Sequence, residues 1–127
     1  MNDTQYLHYN QQLAKTLATS IEAQVPQLSP DDPFSEWLNA LRQAANDTEL
    51  LHRDGPGLMQ RLFTTYPQFA PLVPRDLLWF LGGECLHFMA ESEIDLYQEL
   101  DTQRHQAAAR GEQLDLDAAR AKLLKLQ

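Results

Sequence analysis

Apolar residues recur at helical spacing through nearly the whole of this chain, and no stretch alternates polar and apolar residues as a half-buried strand does. That regularity leaves helix-on-helix packing as the architecture. The first stripe runs from Asp3 to Gln24 through Tyr6, Leu13, Leu17 and Ile21, with Leu7, Ala14, Ala18 and Val25 beside it. Asp3 or Thr4 is placed to cap it by accepting backbone N–H groups, and Pro26 to end it. Asp32 then reads as a cap with Pro33 at the first helical position, where a missing N–H costs nothing. The stripe Phe34, Trp37, Leu38, Leu41, Ala45 and Leu51 predicts one helix from there to Asp54-Gly55, with Pro56-Gly57 starting a shorter one that ends before Pro67.

Prolines 67, 71 and 74 exclude a long regular element between them. Arg75 to about Phe88 reads as a buried helix interrupted by Gly82-Gly83, where a kink or a close backbone contact is expected. A long amphipathic helix, Glu91 to Arg110, is acidic at its start and basic at its end, as the helix dipole favours, and Gly111 terminates it. The last helix, Asp115 to Leu126, has an Asp cap and the stripe Leu116, Ala119, Leu123 and Leu126, with Arg120, Lys122 and Lys125 on a solvated face. The expected fold is therefore all-α, a compact bundle of five or six helices with short loops, in a single domain over residues 1–127.

Size and composition allow such a core. A chain of 127 residues buries roughly two-thirds of its unfolded surface, enough to dispense with metal or disulfide staples. A hydrophobic share of 43% and a charged share of 22% are those of a globular domain. The net charge of −8 argues against nucleic acid as a partner, because phosphate binding runs on clustered Lys and Arg. The lone Cys85 excludes an internal disulfide. The densest apolar stretch, Leu77 to Met89, is 13 residues long and holds Glu84 and His87, so no membrane span is expected. Nothing near Met1 reads as a secretory signal, and a cytoplasmic location is expected.

Charge and aromatic residues are unevenly spread. Residues 31–55 hold six acids and two bases, and residues 91–111 hold five acids and two bases. Between them, residues 56–90 sum to zero: Arg61 and Arg75 against Asp76 and Glu84. The same neutral segment carries six of the eleven aromatic rings, Phe63, Tyr66, Phe69, Trp79, Phe80 and Phe88. A domain this small is expected to leave part of that aromatic centre uncovered, as an interface or a pocket.

Chemistry-bearing patterns are few. Glu49-Leu50-Leu51-His52 and Glu84-Cys85-Leu86-His87 are two Glu-x-x-His units, the spacing with which helical bundles bind paired metals. With Glu22 and Glu99 as further ligands they would hold iron, manganese or zinc. Against that, His52 falls in the last turn before Gly55 on the expected boundaries, where it would meet the helix C-terminal carbonyls, Glu49 would be solvated, and His87 would be a hydrogen-bonded core or boundary residue. Cys85 and His87 point about 200° apart on a helix and cannot pair as thiolate and base, so Cys85 reads as a small buried hydrophobe. Gly82-Gly83 lacks the strand and the Lys-Ser/Thr of a phosphate loop, and no dinucleotide fingerprint is present. Asp54-Gly55-Pro56-Gly57 is a possible helix-turn-helix corner, but the following segment carries Arg61 alone. Pro71-Leu72-Val73-Pro74 fits a P-x-x-P ligand and, being apolar, fits core packing better.

Three runs carry a resemblance: Asp31-Asp32-Pro33-Phe34-Ser35-Glu36-Trp37-Leu38, Thr65-Tyr66-Pro67-Gln68-Phe69, and Pro74 to Phe88. Through them the whole chain resembles a small all-helical family of uncharacterised bacterial proteins found in pseudomonads and relatives. The resemblance implies no activity, cofactor or catalytic residue. Some members carry a dehydrogenase label, to which these residues give no physical support. The expectation is a non-catalytic interaction protein, a homodimer or an adaptor for another protein, with no cofactor. Two alternatives are the di-metal protein on Glu49, His52, Glu84 and His87, and a small apolar-ligand pocket among Trp79, Phe80, Phe88 and the glycine pair.

Overall fold

Local side chains set most of the helix boundaries. The computed structural model describes residues 2–25, 27, 29 and 31–124, and the backbone of Lys125. Among them are six α-helices: α1 (Asp3–Gln24), α2 (Pro33–Ala45), α3 (Thr48–Thr65), α4 (Arg75–Leu81), α5 (Glu91–Ala109) and α6 (Leu116–Lys125). Two 3₁₀ segments, Pro67–Leu72 and Gly83–Phe88, flank α4, and the described residues hold no strand. Pro26, Leu126 and the Lys125 side chain, each given a role in the sequence, lie outside the described residues.

At the start of α1 the cap is Asn2, not Asp3 or Thr4. Its side chain accepts from the Gln5 N–H while the Gln5 side chain accepts from the Asn2 N–H, a reciprocal capping box. Asp3 is left to bind elsewhere. In α2 the arrangement is as expected, with Asp32 accepting from the Phe34 N–H and Pro33 opening the helix.

The second expected helix is in fact two. Asp47 accepts from the Glu49 and Leu50 N–H groups and so starts α3, and Asn46 closes α2. A short acidic side chain offers the backbone a competing acceptor, which is why Asn-Asp breaks a helix that periodicity alone would continue. Leu51 thus belongs to α3, as do Glu49 and His52.

The helix also does not stop at Asp54-Gly55. It runs straight through Gly55-Pro56-Gly57 to Thr65. Pro56 removes the N–H that would bond the His52 carbonyl, but the usual clash of a proline ring with the preceding Cβ does not arise, because residue 55 is glycine. The bare side of Gly55 receives Leu81 of α4: a Cβ there would stand 2.7 Å from Leu81 Cδ2. At the very next residue, the Pro56 carbonyl accepts from the Cys85 thiol at 3.9 Å. What reads as a turn is therefore the flat surface against which α4 and the second 3₁₀ segment pack.

Core residues come from every helix. Leu17 and Ile21 of α1, Trp37 and Leu41 of α2, Leu51, Met59 and Leu62 of α3, Leu77 and Leu78 of α4, and Leu100 of α5 are essentially inaccessible. The Trp37 indole N–H donates to the Leu58 carbonyl at 3.0 Å, so the largest core ring meets its polar requirement inside the core. At Gly82 the chain takes φ +64 and ψ −152, which ends α4 and swings it into the 3₁₀ segment. Among the described residues no helix is long and apolar enough to cross a membrane.

Gly82 and Gly57 give opposite expectations. Gly82→Ala forces a side chain into a glycine-only region and should lower urea-unfolding stability by about 1–3 kcal/mol. Gly57→Ala, with no atom within 4 Å of the new Cβ, should raise stability by about 0.5–1 kcal/mol through helix propensity.

Candidate functional site

The densest polar constellation is centred on Asp76, the second residue of α4. Its neighbours Leu77 and Leu78 are wholly buried and anchor α4 in the core, which holds the Asp76 carboxylate against three other helices. The Tyr9 hydroxyl from α1 donates to Oδ2 at 2.5 Å, the Tyr97 hydroxyl from α5 donates to Oδ1 at 2.5 Å, and Arg120 Nη2 from α6 donates to Oδ2 at 2.5 Å. The side chain of Asp76 is 12% exposed and that of Arg120 25% exposed, so the pair is shielded on most sides. Arg120 Nη1 also reaches Asp117 at 3.4 Å, while its buried Nε has no hydrogen-bond partner.

Aromatic rings wall this cluster. Trp79 stacks on Tyr97 with centroids 5.8 Å apart, and Tyr6, Asp76, Trp79, Tyr97 and Leu116 line a cavity of about 10 Å³, room for one water. Outside it, between the start of α1 and the chain entering α6, lies an open cleft of about 460 Å³ lined by Gln5, Tyr9, Gln113, Asp115 and Asp117 among others. Tyr9 is common to the cleft and the Asp76 cluster. Next to it Arg104, the one buried charged residue among those described, lies over the Tyr6 ring at 4.3 Å and donates to Asp3 at 2.7 Å, joining the far end of α5 to the first turn of α1.

Electrostatics hold Tyr6, Tyr9, Tyr97 and Arg120 in one protonation state. Burial, then the hydrogen bond to Asp76, pushes the Tyr9 hydroxyl up to about 12. The same two causes move Tyr97 further upward, and burial followed by the Asp101 charge takes Tyr6 to about 12. Burial works against the Arg120 charge, but the Asp76 carboxylate and the tyrosine oxygens outweigh it, and its pKa rises. The tyrosines and the guanidinium therefore keep their protons at neutral pH, far from the range that serves general acid–base catalysis. What the arrangement does chemically is bind a cation: a carboxylate with two fixed hydroxyl donors, inside aromatic walls, around a guanidinium.

The sequence-predicted site residues go elsewhere. Glu49 is exposed in the first turn of α3, and Glu84 and His87 are exposed in the second 3₁₀ segment. His52 is also exposed, its ring 4.8 Å from Phe80 and not against the terminal carbonyls of a helix, because α3 continues past it. Glu22 pairs with Arg42, and Glu99 accepts from Gln103 at 3.2 Å. Among the described residues no three His, Cys, Asp or Glu side chains gather as metal ligands would, so the two Glu-x-x-His units are not brought together. Cys85 is fully buried, and burial pushes its thiol up to about 11, with no imidazole beside it since His87 faces solvent.

Of the six central rings, Phe69 is buried and the other five are half-buried. They do not form one pocket. Phe63 and Phe88 stack face to face at 4.2 Å. Tyr66 joins Phe34 and Trp37, with Arg61 over its ring at 5.9 Å. Phe80 sits between Tyr6 and His52, and Trp79 is on Tyr97. The expected cavity among Trp79, Phe80 and Phe88 is thus replaced by three separate ring contacts.

Tyr9, Asp76, Tyr97 and Arg120 carry no joint signal in the sequence. An Asp in the first turn of a helix reads as a dipole partner, and an Arg on a short amphipathic helix reads as solvated. The local signal was the single acid at the head of an otherwise apolar run, Leu77 to Leu81.

Two outcomes follow. Asp76→Ala strips the acceptor from two hydroxyls and a shielded guanidinium, and should cost about 2–4 kcal/mol in chemical denaturation. Because Tyr6, Tyr9 and Tyr97 are raised in the folded state, their contribution to stability is whole below pH 10 and is lost as pH climbs toward about 12. An alkaline titration should show tyrosinate absorbance appearing together with loss of helical circular dichroism, and Tyr9→Phe should reduce that pH dependence.

No curated protein and no solved structure gives a match. The family described as PA2817-like matches residues 2–127, nearly the whole chain and all three runs that carry the resemblance. The chain belongs to the PA2817-like family.

Proposed function

We propose that this protein works by association and not by catalysis, as a homodimer joined through the face that carries Phe63 and Phe88. One observation carries the reading: two phenyl rings from different elements stack at 4.2 Å, half-buried, in the segment whose charges sum to zero. A two-fold interface brings a patch against itself, so any net charge on it repels its own copy. In a molecule of net charge −8, the segments on either side of residues 56–90 are acidic, and the central one is the segment that two copies can share without that repulsion.

Further support comes from the chemistry of the polar cluster. Its tyrosines and arginine hold their protons across the physiological range, and its carboxylate oxygens already receive three donors. A half-buried stacked aromatic pair is also the kind of anchor from which interfaces draw most of their energy. A second copy is favoured over an unrelated adaptor target because the charges of residues 56–90 sum to zero, so that segment does not repel its own copy.

Light scattering coupled to size exclusion should give a dimer mass at micromolar concentration. Phe88→Ser should return a monomer with unchanged helical content. A wild-type chain that stays monomeric throughout the micromolar range, or a dimer that survives Phe88→Ser, overturns the reading.

A further inference from the structure

We infer that the Asp76 cluster and the cleft beside it form a binding site for an alkylguanidinium ligand, which the chain's own Arg120 fills as a placeholder. Four observations carry this, none of which depends on the dimer. First, Asp76 is presented as a receptor presents a carboxylate: two hydroxyls, Tyr9 and Tyr97, fix both oxygens from two different helices. Trp79 and Tyr6 add aromatic faces around it, the environment in which a delocalised cation is favoured over a hydrated one.

Second, Arg120 fits its seat incompletely. With Oδ1 taken by Tyr97, only its Nη2 reaches Asp76, its Nη1 turns to Asp117 at 3.4 Å, and its Nε is buried without a partner. The two-pronged grip on one carboxylate that a guanidinium makes at its best is thus not formed. Third, Arg120 stands on the ten-residue α6, which packs on the core through Ala119 and the half-buried Leu116 and Leu123, whereas Tyr9, Asp76 and Tyr97 stand on three other helices anchored in the core. Moving the Arg120 side chain away leaves the carboxylate and both hydroxyls in place.

Fourth, the cleft of about 460 Å³ opens onto Tyr9 and is lined by Asp115 and Asp117 with Gln5 and Gln113, and by no Lys or Arg. A ligand whose guanidinium took Arg120's place would have its remaining chain, and any second positive charge, in that acidic cleft. The ligand then competes with the Arg120 side chain while α6 stays in place to line the cleft, and the apparent affinity is reduced to the fraction of molecules in which that side chain has left Asp76.

The test titrates the full-length chain with agmatine, an alkylguanidine carrying a second positive charge, at matched ionic strength. Arg120→Ala should bind it at least about tenfold more tightly than wild type by calorimetry, and its melting temperature should rise toward the wild-type value as the seat is refilled. If Arg120→Ala does not fold alone, agmatine should restore its helical circular dichroism. Adding Asp76→Asn to Arg120→Ala should abolish the response. Equal binding to wild type and Arg120→Ala, no response in either, the same response to sodium chloride alone, or a response that persists without the Asp76 carboxylate overturns the inference. A capped tripeptide with a central arginine separates the sources: agmatine binding alone assigns a free small molecule, and binding of the tripeptide assigns an arginine side chain of a polypeptide.

Discussion

A carboxylate that folding shields from water on most sides needs donors, and where they come from governs how this molecule closes. Asp76 draws them from α1, α5 and α6, so one side chain on a seven-residue helix fixes three others relative to it. Removing a charge from water costs several kcal/mol before any partner is counted, and two hydroxyls with a guanidinium offset that cost only when all three arrive together. The cluster therefore specifies the arrangement as much as it stabilises it. Residues from the first helix and the last meet on one group from the middle of the chain.

Around that point the hydrophobic core supplies most of the stabilisation and little of the uniqueness. α3 is the clearest instance. Gly55 has no side chain, so Leu81 lies directly against its backbone, and the neighbouring Pro56 carbonyl receives the Cys85 thiol. Close approach of α4 and the 3₁₀ segment to α3 in turn holds Asp76 at the depth where the tyrosines reach it. At the other end of the 3₁₀ segment, Arg75 grips Glu93 with both prongs and the Phe88 carbonyl with one, which sets how α5 departs. Glu93 accepts from the Ala90 N–H as well, so the same carboxylate caps α5.

Much of the architecture was legible in the chain. The extents of α1 and α5, the Asp32-Pro33 start of α2 and the break at Gly82 all follow from periodicity, caps and backbone freedom. Two boundaries misled, for different physical reasons. Asp47 competes with helix continuation through a side-chain acceptor that a hydrophobic stripe does not reveal. Gly55-Pro56 has the composition of a turn, yet its meaning depends on what packs against it. The candidate site was less legible still. The two Glu-x-x-His units share a spacing but not a location, whereas Tyr9, Asp76, Tyr97 and Arg120 share a location with no spacing, being spread over 112 positions of sequence.

By itself, then, the sequence determined which segments are helical and which face of each is apolar, because those are properties of neighbours three or four residues apart. It also set the family, the acidic surface and the neutral aromatic middle. Only the tertiary structure decided which rings meet, that α3 is unbroken, and that the lone acid at the head of α4 is a shielded acceptor of three donors and not a solvated charge. Those outcomes depend on contacts between residues far apart in the chain, and the energy of such a contact is defined only once the backbone has brought both partners to the same place.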